Sequence, residues 1–391
     1  MTAVAPVGAN DTRLWGLTAQ ERLRRIAEAQ KMDMRADGEV LVNLGFAFDP
    51  SWLKLAAATP GLVVTRGGVP VLAHAGDARE EIKRAMEAQT RLAASREGPG
   101  VGAPPEDSPP GGGPPSPGSS LYPGRGEVLA WEEAGDLKNE ELRKKERPFM
   151  ERLAPETVRP LERASYFGAY KGVTDLLTKY LWPEWALVLT RWAARIGMSP
   201  NQVSLIGAAL CLLATWLFHE GWYWPGLAAG LGFMVLDTVD GKLARCTITS
   251  SKMGEAIDHG VDLVHPPFWW WAWGVGLHSY GRPLETHLFW WTLAVIVGGY
   301  VVQRLIEGAF ILRFGMHIHV WRRFDSRFRL ITARRNPNMV ILLAALAAGR
   351  PDWGLVAVAG WTVISLAVHL VQLLQAMAAR AAGRPVVSWL A

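Results

Sequence analysis

Residues 237–262 read DTVDGKLARCTITSSKMGEAIDHGVD, and this stretch decides the architecture. Four aspartates, three glycines and an Ala-Arg pair lie between two long apolar runs. A carboxylate at bilayer depth costs at least ~2.5 kcal/mol on insertion scales, so acids placed there are kept for a purpose. Four of them in so short a span point to a bound cation with acid/base chemistry beside it.

With about 100° of turn per residue, Asp237, Asp240, Gly241 and Ala244 share one face of a first helix. Gly254, Asp258 and Asp262 step four residues at a time along one stripe of the next. If the two stripes face each other, four carboxylates meet in one cleft. Two or three can hold a hard cation through oxygen, as Mg²⁺ is held by a few carboxylates together with substrate phosphates. Gly241, Ala244 and Gly254 clear side chains from the same faces and leave room for a flat or bulky ligand. Arg245 sets a cation at the mouth that suits a phosphate. Clustered acids without a Ser-His or Cys-His pair suggest metal-assisted phosphoryl transfer. A carboxylate left free of metal can take the proton of an attacking alcohol.

Outward from this stretch, half of the 391 residues are apolar and 19 are Trp, yet mean hydropathy is only +0.10. The average hides a split. Residues 1–160 are polar and rich in charge, Pro and Gly, and from about Trp182 the apolar runs are long enough to cross a bilayer, which takes roughly 20 residues per helix. Six spans are predicted, near 202–219, 223–243, 255–277, 285–308, 337–349 and 353–377. The segments HEGWYWP (219–225), HSYGRPLETH (278–287) and GRPDWG (349–354) hold two Arg and no Lys. Lys242, Arg245, Lys252, Arg313, Arg322, Arg323, Arg327, Arg329, Arg334 and Arg335 fall on the other side. The positive-inside rule then places both termini and the aspartates on the cytoplasmic side.

The first 96 residues read as a small soluble α/β unit. Thr18 and Glu21 form a capping box ahead of a helix at 14–32, strands are expected at 39–48 and 61–76, and a second helix at 77–94. Residues 97–126 are a Pro/Gly/Ser tract expected to be a disordered linker. Residues 127–160 are charged and expected to be partly helical. Residues 161–182 suit a helix lying on the membrane surface, and 183–391 form the membrane domain. The opening MTAVAPVGANDTRLWG lacks a charged region followed by an apolar core, so no cleaved signal is expected. Cys211 and Cys246 are the only cysteines, which argues against a disulfide framework; a thiol role for Cys246 is the lesser reading. Nucleic acid is not an expected partner, because the basic residues flank spans.

The pattern D-x2-D-G-x2-A-R-x8-G-x3-D-x3-D in this stretch resembles the signature of the CDP-alcohol phosphotransferases at all eight fixed positions. MSPNQVSLIG (198–207) is similar to the family's stretch before its first helix. The resemblance covers about residues 160–380. It implies a six-helix domain, usually dimeric, that moves a phosphoalcohol group from a CDP-alcohol to an acceptor hydroxyl and releases CMP, with Mg²⁺ or Mn²⁺ as cofactor. Asp237, Asp240 and Asp258 become metal ligands by this resemblance. Asp262 becomes the general base and a possible contact of the second metal. Gly241, Ala244, Arg245, Gly254 and Asn201 become the CDP site. A lipid or polar alcohol is the implied acceptor, and the bacterial inner membrane the implied location. The N-terminal unit faintly resembles a cytidylyltransferase domain without its Gly-rich loop and lysine, so that activity is not expected.

Other residues carry two readings. WRRFDSRFRLITARR (321–335) supplies Arg322, Arg323 and Arg327 either to an acceptor site or to a topological anchor on anionic lipid. Arg304 and Glu307 either pair along a helix face or line the acceptor cavity. His259 and His265 flank Asp262, and for His265 packing outweighs a ligand role. FWWWAW (268–273) reads as lipid-facing and interfacial aromatic surface. A divalent-cation transporter or a non-catalytic membrane scaffold is the rival class, and it predicts acids spread across the bilayer rather than gathered on one side.

Overall fold

The computed structural model describes residues 2–95, 127–140, 142–250 and 252–391; side chains at 77, 89–95, 252–253 and 255–259 fall outside the description. The expected linker at 97–126 lies outside the described residues. Two compact units result, residues 1–137 with 146–168, and residues 138–145 with 169–391.

The first unit is an α/β sheet structure. β1 (Ala3–Val7) leads to α1 (Ala19–Ala29), whose start is fixed by the Thr18 hydroxyl accepting the Glu21 N–H at 3.2 Å. β2 (Asp33–Met34), β3 (Val40–Asn43) and β4 (Phe46–Phe48) follow, and Asp49 caps α2 (Pro50–Ala58) by accepting the Ser51 N–H at 2.9 Å. β5 (Val63–Arg66) and β6 (Val69–His74) form a hairpin around Gly67 and Gly68, at φ 58° and 76°. Two left-handed central residues suit a tight hairpin turn, and glycine reaches them without strain. α3 (Arg79–Ser95) packs on the sheet through Ile82 and Met86, against Ala5, Val7, Leu41, Val63 and Ala73. Beyond the undescribed segment come β7 (Val128–Ala130), β10 (Met150–Arg152) and α4 (Val158–Gly168), while the paired strands β8 (Leu137–Asn139) and β9 (Lys144–Glu146) fall mostly in residues 138–145 of the second unit. The sheet order is β2-β1-β3-β6-β5-β7, with β1 parallel to both neighbours and β3, β6 and β5 antiparallel in turn; β10 pairs with β4. Of residues 127–160, expected to be partly helical, 155–160 are helical and the regular structure before them, among the described residues, is four short strands. Their charges alternate on solvated edges, and the Trp131 indole donates to the Pro148 carbonyl at 2.8 Å beneath the Arg66 guanidinium.

The second unit is helical. The surface helix expected across 161–182 is interrupted after Gly168. Asp175 accepts the Thr178 N–H at 3.0 Å and the Thr178 hydroxyl at 2.8 Å, so its side chain takes over a backbone partner and starts a fresh turn at 177–181. α5 (Pro183–Arg195) follows. α6 (Pro200–His219) opens with a full capping box: Gln202 N–H donates to the Ser199 hydroxyl at 3.3 Å and Ser199 N–H to Gln202 Oε1 at 2.8 Å. α7 (Tyr223–Cys246), α8 (Lys252–Ser279), α9 (Thr286–Phe314), α10 (Arg323–Phe328), α11 (Arg335–Ala347) and α12 (Pro351–Ala381) complete the chain. α6, α9 and α12 are long and apolar enough to cross a membrane. α11, at about 1.5 Å per residue, is shorter than a hydrocarbon core of roughly 30 Å.

α6 lies along both α7 and α8, and α9 along α12. Where the α6–α7 turn meets α8, a Cβ on Gly276 would sit 1.9 Å from the Phe218 carbonyl oxygen, and one on Gly221 (φ 76°) 2.6 Å from the Gly276 oxygen. Only glycine permits this approach. Around it Tyr223 stacks on Trp273 at 4.2 Å, donates its hydroxyl to the Trp273 carbonyl at 2.7 Å, and Phe218 meets Trp269 edge-on. Trp269, Trp270 and Trp273 are fully buried, while Phe268 and Trp271 are exposed. The aromatic run is thus mostly interior, which corrects its reading as lipid-facing surface. Its 269, 270 and 273 positions form the inward stripe of a helix, and their indole N–H groups find internal carbonyls: Trp269 donates to Cys211 at 3.3 Å and Trp273 to Pro351 at 3.1 Å.

Candidate active site

α7 carries Asp237, Asp240, Gly241, Ala244 and Arg245 along its last three turns; α8 carries Gly254, Asp258 and Asp262 along its first three. The end of α7 is tied down by Lys242, which is buried, donates to the Ala169 carbonyl at 2.7 Å and sits 3.4 Å over the Tyr170 ring. The Trp182 indole donates to the Thr238 hydroxyl at 3.2 Å. A lysine read from sequence only as a topological charge therefore locks the acid-bearing helix to the segment before α5.

Asp237 and Asp262 converge. Arg335, in the first turn of α11, donates Nη2 to Asp237 Oδ2 and Nη1 to Asp262 Oδ1, each at 2.8 Å. The guanidinium lies 4.8 Å from the Phe233 ring centre and only 11% of its side chain is exposed, against 45% for Asp262. Two carboxylates from different helices thus share one cation. The pair fits a divalent ion on that evidence: a positive group already lies between them, and the donors are the hard oxygens that Mg²⁺ and Mn²⁺ prefer. Asp240 is oriented differently. Its Oδ2 accepts the Ser204 hydroxyl from α6 at 2.5 Å and its Oδ1 the Gly241 N–H at 2.5 Å. The Asp258 and His259 side chains lie outside the described residues.

Gly241 does leave space, and Arg245 uses it: a Cβ there would stand 3.2 Å from Arg245 Nη2. The Arg245 Nε is buried without a partner among the described residues. Ala244 and Gly254 are half-buried on their helices, and Asn201 is exposed in the first turn of α6. His265 packs edge-on between Phe233 and Trp269 with Nδ1 bonded to the Val261 carbonyl at 2.7 Å, which is the packing role.

The four arginines expected at an acceptor site do not gather. Arg322 grips Asp325 through Nε and Nη2 at 3.0 Å each, and Gln375 at 2.8 Å. Arg323 and Arg327 line a groove with Lys179, Tyr180 and Trp389. Arg304 instead joins a second cluster. It donates to Glu307 at 2.7 Å, and Arg334 donates to both Glu307 oxygens at 2.7 and 2.6 Å. Glu307, His319 and His369 offer ligand atoms within 4.8 Å of one another. A cation is nevertheless a poor match there, because two guanidiniums, Arg304 and Arg334, share a single carboxylate, whereas Asp237 and Asp262 are two carboxylates sharing one. Arg143 is drawn down to about 10 by burial and then by the charge of Arg334, and Arg329 is held well below the usual arginine range for the same two reasons. Nε atoms of Arg143, Arg304, Arg329 and Arg334 are buried and unpartnered among the described residues. Such a surplus of donors suits an anion.

Sequence reasoning missed Ser204, Arg335, Arg334 and the Asn336–Asp175 bond of 3.1 Å. Ser204 had a readable signal, as a hydroxyl on the inner face of an apolar helix. The others depend on how α11 meets α7 and α8.

Residues 197–328 match the family model described as CDP-alcohol phosphatidyltransferase. Cholinephosphotransferase 1 of Bos taurus is 33% identical over 181 residues, 42% of either chain. The protein of the same name from Homo sapiens is 32% identical over 185 residues, 43% of either chain. A crystal structure of Mycobacterium tuberculosis phosphatidylinositol phosphate synthase with CDP-DAG bound aligns at a TM-score of 0.39 and 16% identity, over 48% of this chain and 92% of that one; so distant a likeness carries no argument. The chain spans less than half the length of the curated relatives it matches. The stretch that matches the family model holds the complete aspartate signature.

Proposed function

We propose that this chain is a membrane-embedded transferase that moves a phosphoalcohol group from a CDP-alcohol to an acceptor hydroxyl and releases CMP, in phospholipid synthesis. The observation that carries this reading is the meeting of Asp237 and Asp262 around one positive group, inside the stretch that matches the family. Asp237, Asp240 and Asp258 would hold Mg²⁺ or Mn²⁺, and the ion would supply charge neutralisation for the pyrophosphate. Asp262, half-exposed at the cleft, accepts the acceptor's hydroxyl proton. The freed oxygen attacks the β-phosphorus, a new P–O bond forms, and the bond to the bridging oxygen breaks with its electron pair leaving on CMP. Gly241, Ala244 and Gly254 give the cytidine room, Arg245 faces its phosphates, and Asn201 borders the site.

The names of the relatives make a CDP-alcohol carrying phosphocholine the first donor to try, with a lipid as acceptor. The donor-rich surroundings of Arg304 and Arg334 favour a phosphorylated acceptor as the second. Six spans in a bacterial inner membrane are part of the proposal, and the arginines between α9 and α11, with the cation-poor turns on the other side, support placing the acids and both termini on the cytoplasmic face. A homodimer completes the proposal.

Purified protein in lipid nanodiscs, given a panel of CDP-alcohols with lipid and polyol acceptors, tests the reading. Release of CMP that needs Mg²⁺ or Mn²⁺ and is lost in Asp262→Asn, with folding intact, is the expected result. Cation flux without CMP release would instead establish a transporter.

A further inference from the structure

We propose that Arg335 is a built-in occupant of the metal site, a guanidinium latch that neutralises Asp237 and Asp262 until a divalent ion displaces it. The inference rests on the transferase reading above and concerns the resting state of the same carboxylates. Three observations support it. Arg335 takes one oxygen from each of two carboxylates on different helices, at 2.8 Å, so it fills the gap that a shared cation must enter. Its contact takes one oxygen of Asp262, the proposed base, so while the guanidinium is in place that oxygen does not accept a proton. Arg335 lies beyond the stretch 197–328 that matches the family, so the latch belongs to the following helix.

Competition follows from charge. A guanidinium and a divalent ion cannot both lie between the same oxygens without like charges in contact. The divalent ion gains more from each carboxylate, because the attraction scales with the product of charges. The latch also has an anchor. Arg334 is held by Glu307 and Asn336 by Asp175, so the residues on either side of Arg335 are fixed and the guanidinium has a short path back when the ion leaves. Metal loading therefore removes the guanidinium from both carboxylates in one exchange and leaves the second Asp262 oxygen to act as base.

The test is Mn²⁺ binding, read by electron paramagnetic resonance of the free ion, together with thermal melting in detergent with and without Mn²⁺. Removing the latch by Arg335→Gln should tighten Mn²⁺ binding about fivefold, the factor matching one half-exposed ion pair. The metal-free melting point should fall, and the rise on adding Mn²⁺ should grow. If Arg335→Gln does not fold, Arg335→Lys makes the same comparison with a smaller gain, since an ammonium cannot span both carboxylates as a planar fork does. Unchanged or weaker Mn²⁺ binding in a folded variant would overturn the latch while leaving the transferase standing. Absence of Mn²⁺ binding in the unaltered protein would overturn the metal-site reading and the latch with it.

Discussion

The Ser204 hydroxyl of α6 donates to the Asp240 carboxylate of α7 at 2.5 Å, so the second aspartate of the signature is aimed by a helix that carries none of the acids. Ser204→Ala leaves a buried carboxylate oxygen without that donor, a loss of about 1–3 kcal/mol. The expected outcome is a several-fold higher Mn²⁺ requirement for CMP release with a modest drop in melting temperature. Ser204→Thr should restore most of both.

Gly241 and Arg245 share one pocket. Gly241→Val puts a branched side chain where the Arg245 guanidinium now lies. KM for the CDP-alcohol should rise roughly tenfold, about 1.4 kcal/mol of lost binding, while Mn²⁺ affinity stays near that of the unaltered protein. Initial rates over a range of donor concentrations give the first quantity and Mn²⁺ titration the second.

Two glycines on neighbouring helices should respond in opposite ways to the same methyl group. A Cβ on Gly276 meets a backbone oxygen at 1.9 Å, whereas one on Gly298 meets nothing within 4 Å. Gly276→Ala should cost about 3 kcal/mol or more through overpacking that no rotamer relieves. Gly298→Ala should be neutral or gain up to ~1 kcal/mol. Thermal melts of the two variants side by side provide the check.

Asp175 gives the unit an acid-sensitive joint. Burial pushes its carboxyl up, but the charge of Arg329 and the hydrogen bonds from Thr178 and Asn336 outweigh burial and hold it below the usual carboxylate range. A group with a lowered folded pKa stabilises fully above its unfolded value, ~3.9 for Asp. That share is lost as pH falls through the lower folded value. The stability difference between the unaltered protein and Asp175→Asn should be flat from pH 7 to about 5 and shrink below ~4. A difference that grew on acidification would contradict this origin.

How much of this was legible depends on whether the deciding contacts are local. The start of α6 was, to within two residues, because the apolar run begins near 202 and the helix at Pro200. The facing of Asp237 and Asp262 was legible as well, since helical spacing alone selects the two stripes. Arg335 was not: it lies 73 residues beyond Asp262, and only the angle at which α11 meets α7 and α8 selects it from a run of arginines. The run 268–273 misled for a different reason. Aromatic content suggested an interface, while the spacing of Trp269, Trp270 and Trp273 already marked an inward face. The strands of 127–157 escaped because short pieces rich in charge carry neither a helical nor a clean alternating period.

The contact between Gly276 and the Phe218 carbonyl joins α8 to the α6–α7 turn at the end remote from the aspartates, about 20 Å away at the helical rise. Between that joint and Asp262, Pro266 and Pro267 remove two backbone donors from α8. The missing donors make the prolines the weakest point of α8, so any bend that carries Asp262 toward or away from α7 starts there and leaves the joint at Gly276 in place.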